Sequence, residues 1–244
     1  MVPQRLIQNI SICAFVTLIL LVVTRLFADT APAEKFVVAP HDQTISVKMI
    51  GPVTQTTDLE ILCILEHDPA GDKYIEAMDD FNNKLGGLLA NLRTRGEFVG
   101  ELGETLLFSP PAGSIAAKQV LFIGVGAETD LTLEKLKLVG RIAAREAVRL
   151  KVSHVSFVPT LRDQGSARID VGEGDAAVAG EWVRAYDTEK RLENQGLAEK
   201  SDISALVIEA GPKYFDSAIE KVTQAVREAG EAIAQRTDQP YVTE

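Results

Sequence analysis

Short apolar segments alternate with amphipathic segments along most of the chain, and this alternation restricts the possible folds more than any other feature. The apolar segments have the length and composition of β-strands and predict six of them, at residues 44–50, 59–65, 104–109, 119–123, 154–158 and 203–209. Between them, apolar residues recur at three- and four-residue steps, which is typical of helices. Strands that alternate with helices of this length predict a mainly parallel sheet covered by helices, an α/β domain.

The first helical pattern follows the second predicted strand. Its apolar positions share one face of a continuous helix: Ile75, Met78, Phe81, Leu85, Leu88 and Leu92. Gly86 and Gly87 lie inside this pattern, and each costs a helix about 1 kcal/mol relative to alanine. They therefore need a structural or functional reason to be there. Later helices are predicted around Leu136, Trp182 and Val222.

The composition limits the class of protein. With 244 residues, 46% of them hydrophobic and 25% charged, the chain is long enough to bury one core of normal domain size. It has 35 acidic and 25 basic residues, a formal net charge of −10 and no run of Lys or Arg. The positive surface expected of a nucleic-acid-binding protein is missing. We therefore expect one folded domain and no nucleic-acid partner.

The first 33 residues have the features of a targeting segment. Arg5 precedes an apolar stretch at residues 10–23, and alanines follow at positions 28, 31 and 33. This order of charge, apolar stretch and small residues is typical of an export signal. The alternative is an uncleaved membrane anchor, because Leu6 to Phe27 lengthens the apolar span if Arg25 reaches to the membrane surface.

The sequence thus divides into three predicted parts. Residues 1–33 are a signal peptide or N-terminal anchor, residues 34–44 a linker, and residues 45–244 the folded domain. We expect an exported protein, either periplasmic or extracellular. It contacts a membrane only through the N-terminal segment, if that segment is not removed.

Cysteine and histidine residues give no catalytic or metal-binding pattern. Cys63 alternates with apolar residues in a strand-like run, which indicates a buried structural thiol. His41, His67 and His154 are scattered without the spacing of metal ligands. We therefore expect no metal, no cofactor and no catalytic residue among them.

Short motifs between Phe81 and Gly126 resemble part of a known family. In chain order they are a Lys-Leu-Gly-Gly helix, Gly-Glu-Phe, Leu-Gly-Glu-Thr-Leu-Leu and a strand ending in Gly-Val-Gly. In order and spacing, these motifs resemble the N-terminal domain of the leucyl aminopeptidases, metallopeptidase family M17. The resemblance extends over roughly residues 59–234 and includes the spacing of Gly180 and Tyr186. It implies a macro-domain-like α/β fold, with a mixed, mainly parallel sheet flanked by helices.

The resemblance also bears on catalysis. In that family, a second domain holds two divalent metals with several carboxylates and a lysine, and this sequence ends at Glu244 without a segment that resembles it. Two-metal hydrolysis needs clustered ligands that hold the ions about 3.5–4 Å apart. Asp79 and Asp80 are adjacent on a predicted helix, so their side chains diverge by about 100°. We therefore expect a noncatalytic domain that acts in protein interaction or assembly, with an unknown protein partner or by self-association.

Two alternatives stay open at this point. One is a macro-like module that binds a small phosphate or nucleotide ligand, and the other is an accessory subunit of a metallo-aminopeptidase. The ligand alternative has four candidate residues: Gly86, Gly87, Gly124 and Gly126. Bare backbone amides at these glycines could approach a phosphate, as the macro-domain resemblance implies. The structural alternative is close packing of helix on sheet at the first pair and a tight turn at the second.

Overall fold

The computed structural model describes residues 31–236, and these residues contain one seven-stranded sheet. The strands are β1 (Glu34–Val38), β2 (Thr44–Lys48), β3 (Leu59–Leu65), β4 (Thr105–Phe108), β5 (Gln119–Gly126), β6 (His154–Val158) and β7 (Ala205–Glu209). Their order across the sheet is β1-β2-β7-β6-β3-β5-β4. The five inner strands are parallel, and β1 and β4 are antiparallel at the two edges. This arrangement confirms the predicted mixed, mainly parallel sheet.

Five α-helices cover the sheet within the described residues. They are α1 (Glu76–Lys84), α2 (Leu88–Thr94), α3 (Leu133–Leu150), α4 (Val171–Asn194) and α5 (Phe215–Ala234). Short 3-10 turns lie at Glu128–Asp130 and Arg162–Gln164. None of the helices in residues 31–236 is long and apolar enough to cross a membrane.

The hydrophobic core lies on both faces of the sheet because successive side chains of a strand point to opposite faces. In β3, Ile61 and Cys63 belong to a large cluster with α3, α4 and α5, and Leu62 and Ile64 belong to a smaller cluster with α1 and α2. The predicted helix around Trp182 places that side chain fully inside the large cluster. The whole sheet and both clusters lie within the compact unit Ala33–Glu244.

The helix predicted as continuous through Gly86 and Gly87 is in fact two helices. Both glycines have a left-handed backbone, with φ of 65° and 77°. Their amides donate to the carbonyl oxygens of Asn83 and Asn82, at 3.0 and 2.8 Å, and so end α1. A Cβ at Gly86 would meet nothing within 4 Å. The prediction of a continuous helix was wrong because the backbone conformation of the glycine pair, not close packing on the sheet, decides this position.

The segment 34–44, predicted as a linker, contains strand β1. β1 forms a hairpin with β2, in a register that pairs Glu34 with Lys48 and Val38 with Thr44. Only Val37 of β1 is buried, because β1 is an edge strand with one face open to solvent. An edge strand of this kind shows no strong apolar alternation, and the prediction was wrong for that reason. The signal or anchor predicted for residues 1–33 lies almost entirely outside the described residues.

Candidate functional site

A cavity of about 130 Å³ lies at the carboxyl ends of β2, β6 and β7. Its walls come from the segments that follow these strands and from the first turns of α1 and α4. In open α/β sheets, ligands bind in the crevice outside the carboxyl ends of the strands. The cavity is therefore the first candidate for a binding site in this domain.

The lining of the cavity combines apolar walls with acidic groups. Apolar side chains come from each wall: Ile50, Pro52, Val158, Leu161, Ile169 and Val171. Four carboxyl groups also line it, from Glu76, Asp163, Asp170 and Glu209, against the single guanidinium of Arg162. An excess of negative charge in a partly enclosed space disfavours an anionic ligand.

A buried pair of glutamates connects the cavity to the middle of the sheet. Glu209 ends β7 and is 2% exposed, and Glu60 of β3 is fully buried. The hydroxyl of Ser156 on β6 donates to Glu209 Oε1 at 2.7 Å. Glu209 Oε2 and both carboxyl oxygens of Glu60 have no partner among the other side chains. The two carboxyl groups instead meet each other, and a protonated Glu60 donates to Glu209.

The two carboxyl groups shift each other's titration. Burial, and then the negative charge of Glu209, raises the pKa of Glu60 well above its ordinary value. Burial raises the pKa of Glu209 to about 7. Two carboxyl groups in one buried site resist full ionisation. Glu60 therefore keeps its proton to a higher pH than an ordinary glutamate, and Glu209, with a pKa of about 7, is poised between its two protonation states at neutral pH.

Asp163 is a third perturbed acid at the cavity. Burial, followed by the negative charge of Glu76, raises the pKa of Asp163 to about 6, although hydrogen bonds from the backbone amides of Met78 and Ala77 oppose the shift. Through these two hydrogen bonds, Asp163 connects the wall of the cavity to the first turn of α1. Perturbed acids that share a cleft are a recurrent property of functional sites.

Two residues with a strained backbone also line this cavity. Thr160 and Glu76 both line it and both have a left-handed backbone, with φ of 48° and 49°. For a β-branched residue this conformation is a true outlier, and each such residue costs on the order of 1–3 kcal/mol. Thr160 is held there by a hydrogen bond from its hydroxyl to the carbonyl oxygen of Cys63, at 2.6 Å. Strain of this kind clusters at ligand-binding and active sites.

The raised pKa of Glu209 leads to a testable prediction about how the stability of the domain depends on pH. Its pKa is about 7 in the folded state and 4.5 ordinarily, so the folded state holds the proton more tightly. Stability should therefore fall as the pH rises from 4.5 to 7, by a few kcal/mol for this group. We expect Glu209→Gln to reduce this fall, measured by urea unfolding at pH 4.5, 5.5 and 7. The same pH dependence in both proteins would contradict the assignment.

The glycines predicted as ligand-binding residues have internal partners. The amides of Gly124 and Gly126 donate to the carbonyl oxygens of Glu104 and Gly100, at 2.8 and 3.0 Å. A Cβ added at Gly124 would lie 2.0 Å from the carbonyl oxygen of Glu101, so the backbones pack directly on each other. None of the four predicted glycines lines the cavity. Phosphate binding at them stays a prediction, and it requires these bonds, and those of Gly86 and Gly87, to be displaced.

The residues that form the cavity were missed by the sequence analysis. One signal was available: Glu60 is the single charged residue within the otherwise apolar run of β3. A charged residue in the middle of a fully buried strand needs a partner or a shifted pKa. Glu209 and Asp163 gave no such signal, since each lies at the end of a predicted strand or in a loop.

Metal-binding side chains do not gather within residues 31–236, where no group of three or more His, Cys, Asp or Glu residues could hold an ion. Each histidine instead meets its own carboxylate: His41 meets Asp187, His67 meets Asp72 and His154 meets Asp58. Cys63 is buried, as predicted, and burial raises the pKa of its thiol well above the ordinary value. A thiol held in this form is a poor nucleophile.

Part of the chain is similar to the cytosol aminopeptidases. Residues 65–181 match the model of the cytosol aminopeptidase family, N-terminal domain. A probable cytosol aminopeptidase of Alkaliphilus oremlandii is 28% identical over 145 residues, which is 58% of this chain and 28% of that protein. One of Roseiflexus castenholzii is 25% identical over 163 residues, 66% of this chain and 30% of that protein. The chain thus spans less than a third of the length of these relatives.

Solved structures give the same fold. A tomato leucine aminopeptidase mutant aligns with a TM-score of 0.58 at 19% identity, over 84% of this chain and 38% of that one. An Oceanobacillus iheyensis macrodomain with ADP aligns with a TM-score of 0.53 at 14% identity, over 82% of this chain and 100% of that one. These likenesses show the fold, which is macrodomain-like as the sequence resemblance implied.

Proposed function

We propose that this chain is an exported, noncatalytic domain that acts by assembling with a second copy of itself. Its type is that of the N-terminal domain of the cytosol aminopeptidase family, whose model residues 65–181 match. Export rests on the sequence of residues 1–33 alone. The noncatalytic role is supported by the scattered metal-binding side chains of residues 31–236. Assembly rests on one observation, the exposed apolar side chains of strand β1.

Strand β1 is the first strand of the sheet, and no strand of the described residues pairs with its outer edge. Phe36 and Val38 are 68% and 95% exposed. Because they are two residues apart, they point to the same face of the strand. Soluble proteins usually protect edge strands with charges, proline or a covering loop, since an open edge can pair with another chain. An open edge with two exposed apolar side chains is therefore a candidate contact surface.

The shape and charge of β1 favour a second copy as its occupant. Antiparallel pairing of two β1 strands about a two-fold axis would place Phe36 opposite Phe36, and paired aromatic side chains stabilise neighbouring strands. β1 carries one acidic and one basic residue, Glu34 and Lys35, and is therefore electrically neutral. Two copies can meet at this edge with little repulsion, even though the whole chain has a net charge of −10.

The proposal is tested by sedimentation velocity on the chain from Asp29 onward, which contains the whole compact unit. We expect a dimer whose proportion rises with protein concentration. The double variant Phe36→Ser/Val38→Ser should remain a monomer at concentrations where the unaltered chain is mostly dimeric, because it loses the apolar contact between the strands.

The matched control is Leu197→Ser, which removes another exposed apolar side chain, one that lies outside β1. We expect this variant to dimerise normally. A monomer at every concentration, or equal loss of the dimer in both variants, would contradict assembly through β1. In the first case, the next partner to test would be a metallo-aminopeptidase chain.

A further inference from the structure

A carboxyl group near the start of α4 is buried without a hydrogen-bond partner. Asp175 has no exposed surface, and neither of its carboxyl oxygens meets a donor. It differs in this from the buried glutamates, because Glu60 and Glu209 meet each other. A buried carboxylate without a partner costs so much free energy that the group keeps its proton instead. Such groups are rare in folded proteins, and Asp175 therefore needs an explanation.

The charged and titratable groups near Asp175 also favour its protonated form. Burial, and then the negative charge of Asp170, raises the pKa of Asp175 well above its ordinary value. Asp170 is the N-cap of the same helix, and Lys221 of α5 binds it at 3.0 Å. On the side of the sheet, Cys63 of β3 is close enough for the charge of Asp175 to raise the pKa of its thiol. Neither burial nor Asp170 favours the ionised form of Asp175.

Close packing of α4 prevents water from reaching Asp175 while the helix stays in place. A Cβ added at Gly174, the preceding residue, would lie 3.1 Å from Leu136 Cδ1 of α3. A Cβ added at Gly140 of α3 would lie 2.5 Å from the carbonyl oxygen of Val178. Interiors packed in this way contain few voids that a water molecule can enter. An ionised Asp175 can therefore gain hydration only if this part of α4 moves.

We propose that Asp175 is a proton-dependent latch, which keeps the first half of α4 packed against the sheet while it is protonated and releases it when it ionises. The first turn of α4 forms one wall of the cavity at the carboxyl ends of β2, β6 and β7, through Asp170, Val171 and Gly174. Release of this half of the helix therefore opens that wall to solvent. The latch is independent of assembly through β1.

The direction of the pH dependence follows from the raised pKa of Asp175. The folded state holds this proton more tightly than the unfolded chain does. The stability that the proton provides is therefore fully present at acidic pH and is lost as the pH rises through the folded-state pKa. Release of α4 is expected on the alkaline side of this pKa.

Protonation of Asp175 is measured directly by carbon NMR of the chain from Asp29 onward, with labelled aspartate carboxyl groups, between pH 5 and pH 10. Exposed aspartates titrate near a pKa of about 3.9. We expect one aspartate carboxyl to keep the chemical shift of the protonated acid at pH 7. Its signal should be missing from the spectrum of Asp175→Asn, which assigns it.

Hydrogen exchange on the same chain reports the release of α4. Between pH 7 and pH 10, the protection factors of amides in residues 171–182 should fall at least tenfold more in the unaltered chain than in Asp175→Asn, because only the unaltered chain gains a charge there. Titration of Glu60 and Glu209 is common to both proteins and cancels in the comparison. Amides of α2, which packs on the opposite face of the sheet, should behave alike in both.

A second variant separates a latch from a buried acid that is merely structural. Asp170→Asn removes the neighbouring negative charge and keeps a good N-cap, since asparagine and aspartate cap helices about equally well. We expect it to lower the pH at which α4 is released. The control Glu231→Gln alters an exposed acid of α5 and should leave that pH unchanged.

The proposal is overturned if Asp175 is ionised at pH 7, or if the amides of residues 171–182 stay equally protected up to pH 10 in the unaltered chain and in Asp175→Asn. It is also overturned if Asp170→Asn leaves the pH of release unchanged. Should Asp175→Asn fail to fold, the carboxyl signal and the effect of Asp170→Asn decide the question, because both leave Asp175 in place.

Discussion

Replacing Gly124 with alanine is expected to destabilise the domain by about 3 kcal/mol, at the upper end of the cost of overpacking. The added Cβ would lie 2.0 Å from the carbonyl oxygen of Glu101 and 2.7 Å from that of Gly100. Backbone atoms cannot move away as a flexible side chain does. In addition, the amide of Gly124 donates to the carbonyl oxygen of Glu104, so a shift of this segment would strain the pairing of β5.

The measurement is urea unfolding of Gly124→Ala beside Gly51→Ala. Gly51 is the control because its φ is not positive and an added Cβ meets nothing within 4 Å. We expect Gly51→Ala to change stability by less than about 0.5 kcal/mol. If Gly124→Ala were equally mild, the close approach of the two backbones would be refuted, and a ligand-related reason for this glycine would regain support.

Replacing Arg93 with alanine is expected to destabilise the domain by about 3–5 kcal/mol. Arg93 lies on α2 and is only 4% exposed. Its guanidinium forms an ion pair with Asp72 at 2.6 Å and donates to the carbonyl oxygen of Leu65, at the end of β3. Removal of the guanidinium would leave a largely buried carboxylate and a buried carbonyl without their partners.

Chemical denaturation again provides the measurement, with an exposed ion pair for comparison. Arg227 and Glu231 form a pair at 2.9 Å on α5, and both side chains are about 60% exposed. We expect Arg227→Ala to cost less than about 1 kcal/mol. The double variant Arg93→Ala/Asp72→Ala should recover part of the stability lost in Arg93→Ala. A loss as small as that of Arg227→Ala would show that Arg93 does not anchor α2 to the sheet.

The main features of the fold were predictable because they depend on local pattern. β3 is apolar at six of its seven positions and is an inner strand with both faces covered, as expected for a buried parallel strand. The apolar stripe of α3 includes Leu136 and Val139, and both are buried. Each of these elements has enough apolar residues for its own period to decide its structure.

Features that depend on tertiary context were not predictable. β1 buries only Val37, so its strand conformation depends on pairing with β2. The pairing of Glu60 with Glu209 joins residues 149 positions apart through the order of the parallel strands. A sequence pattern contains no information about which strand becomes the neighbour of which. For the same reason, the sequence did not indicate the cavity at the carboxyl ends of β2, β6 and β7.

Assembly of two copies through β1 is tested by hydrogen exchange of the amides in this strand. Exchange is measured on the chain from Asp29 onward at a low and a high protein concentration. If two copies assemble through β1, amides at the outer edge of Glu34–Val38 exchange more slowly at the high concentration, while those of β4, at the opposite edge, do not change. Exchange in β1 that is independent of concentration would contradict it.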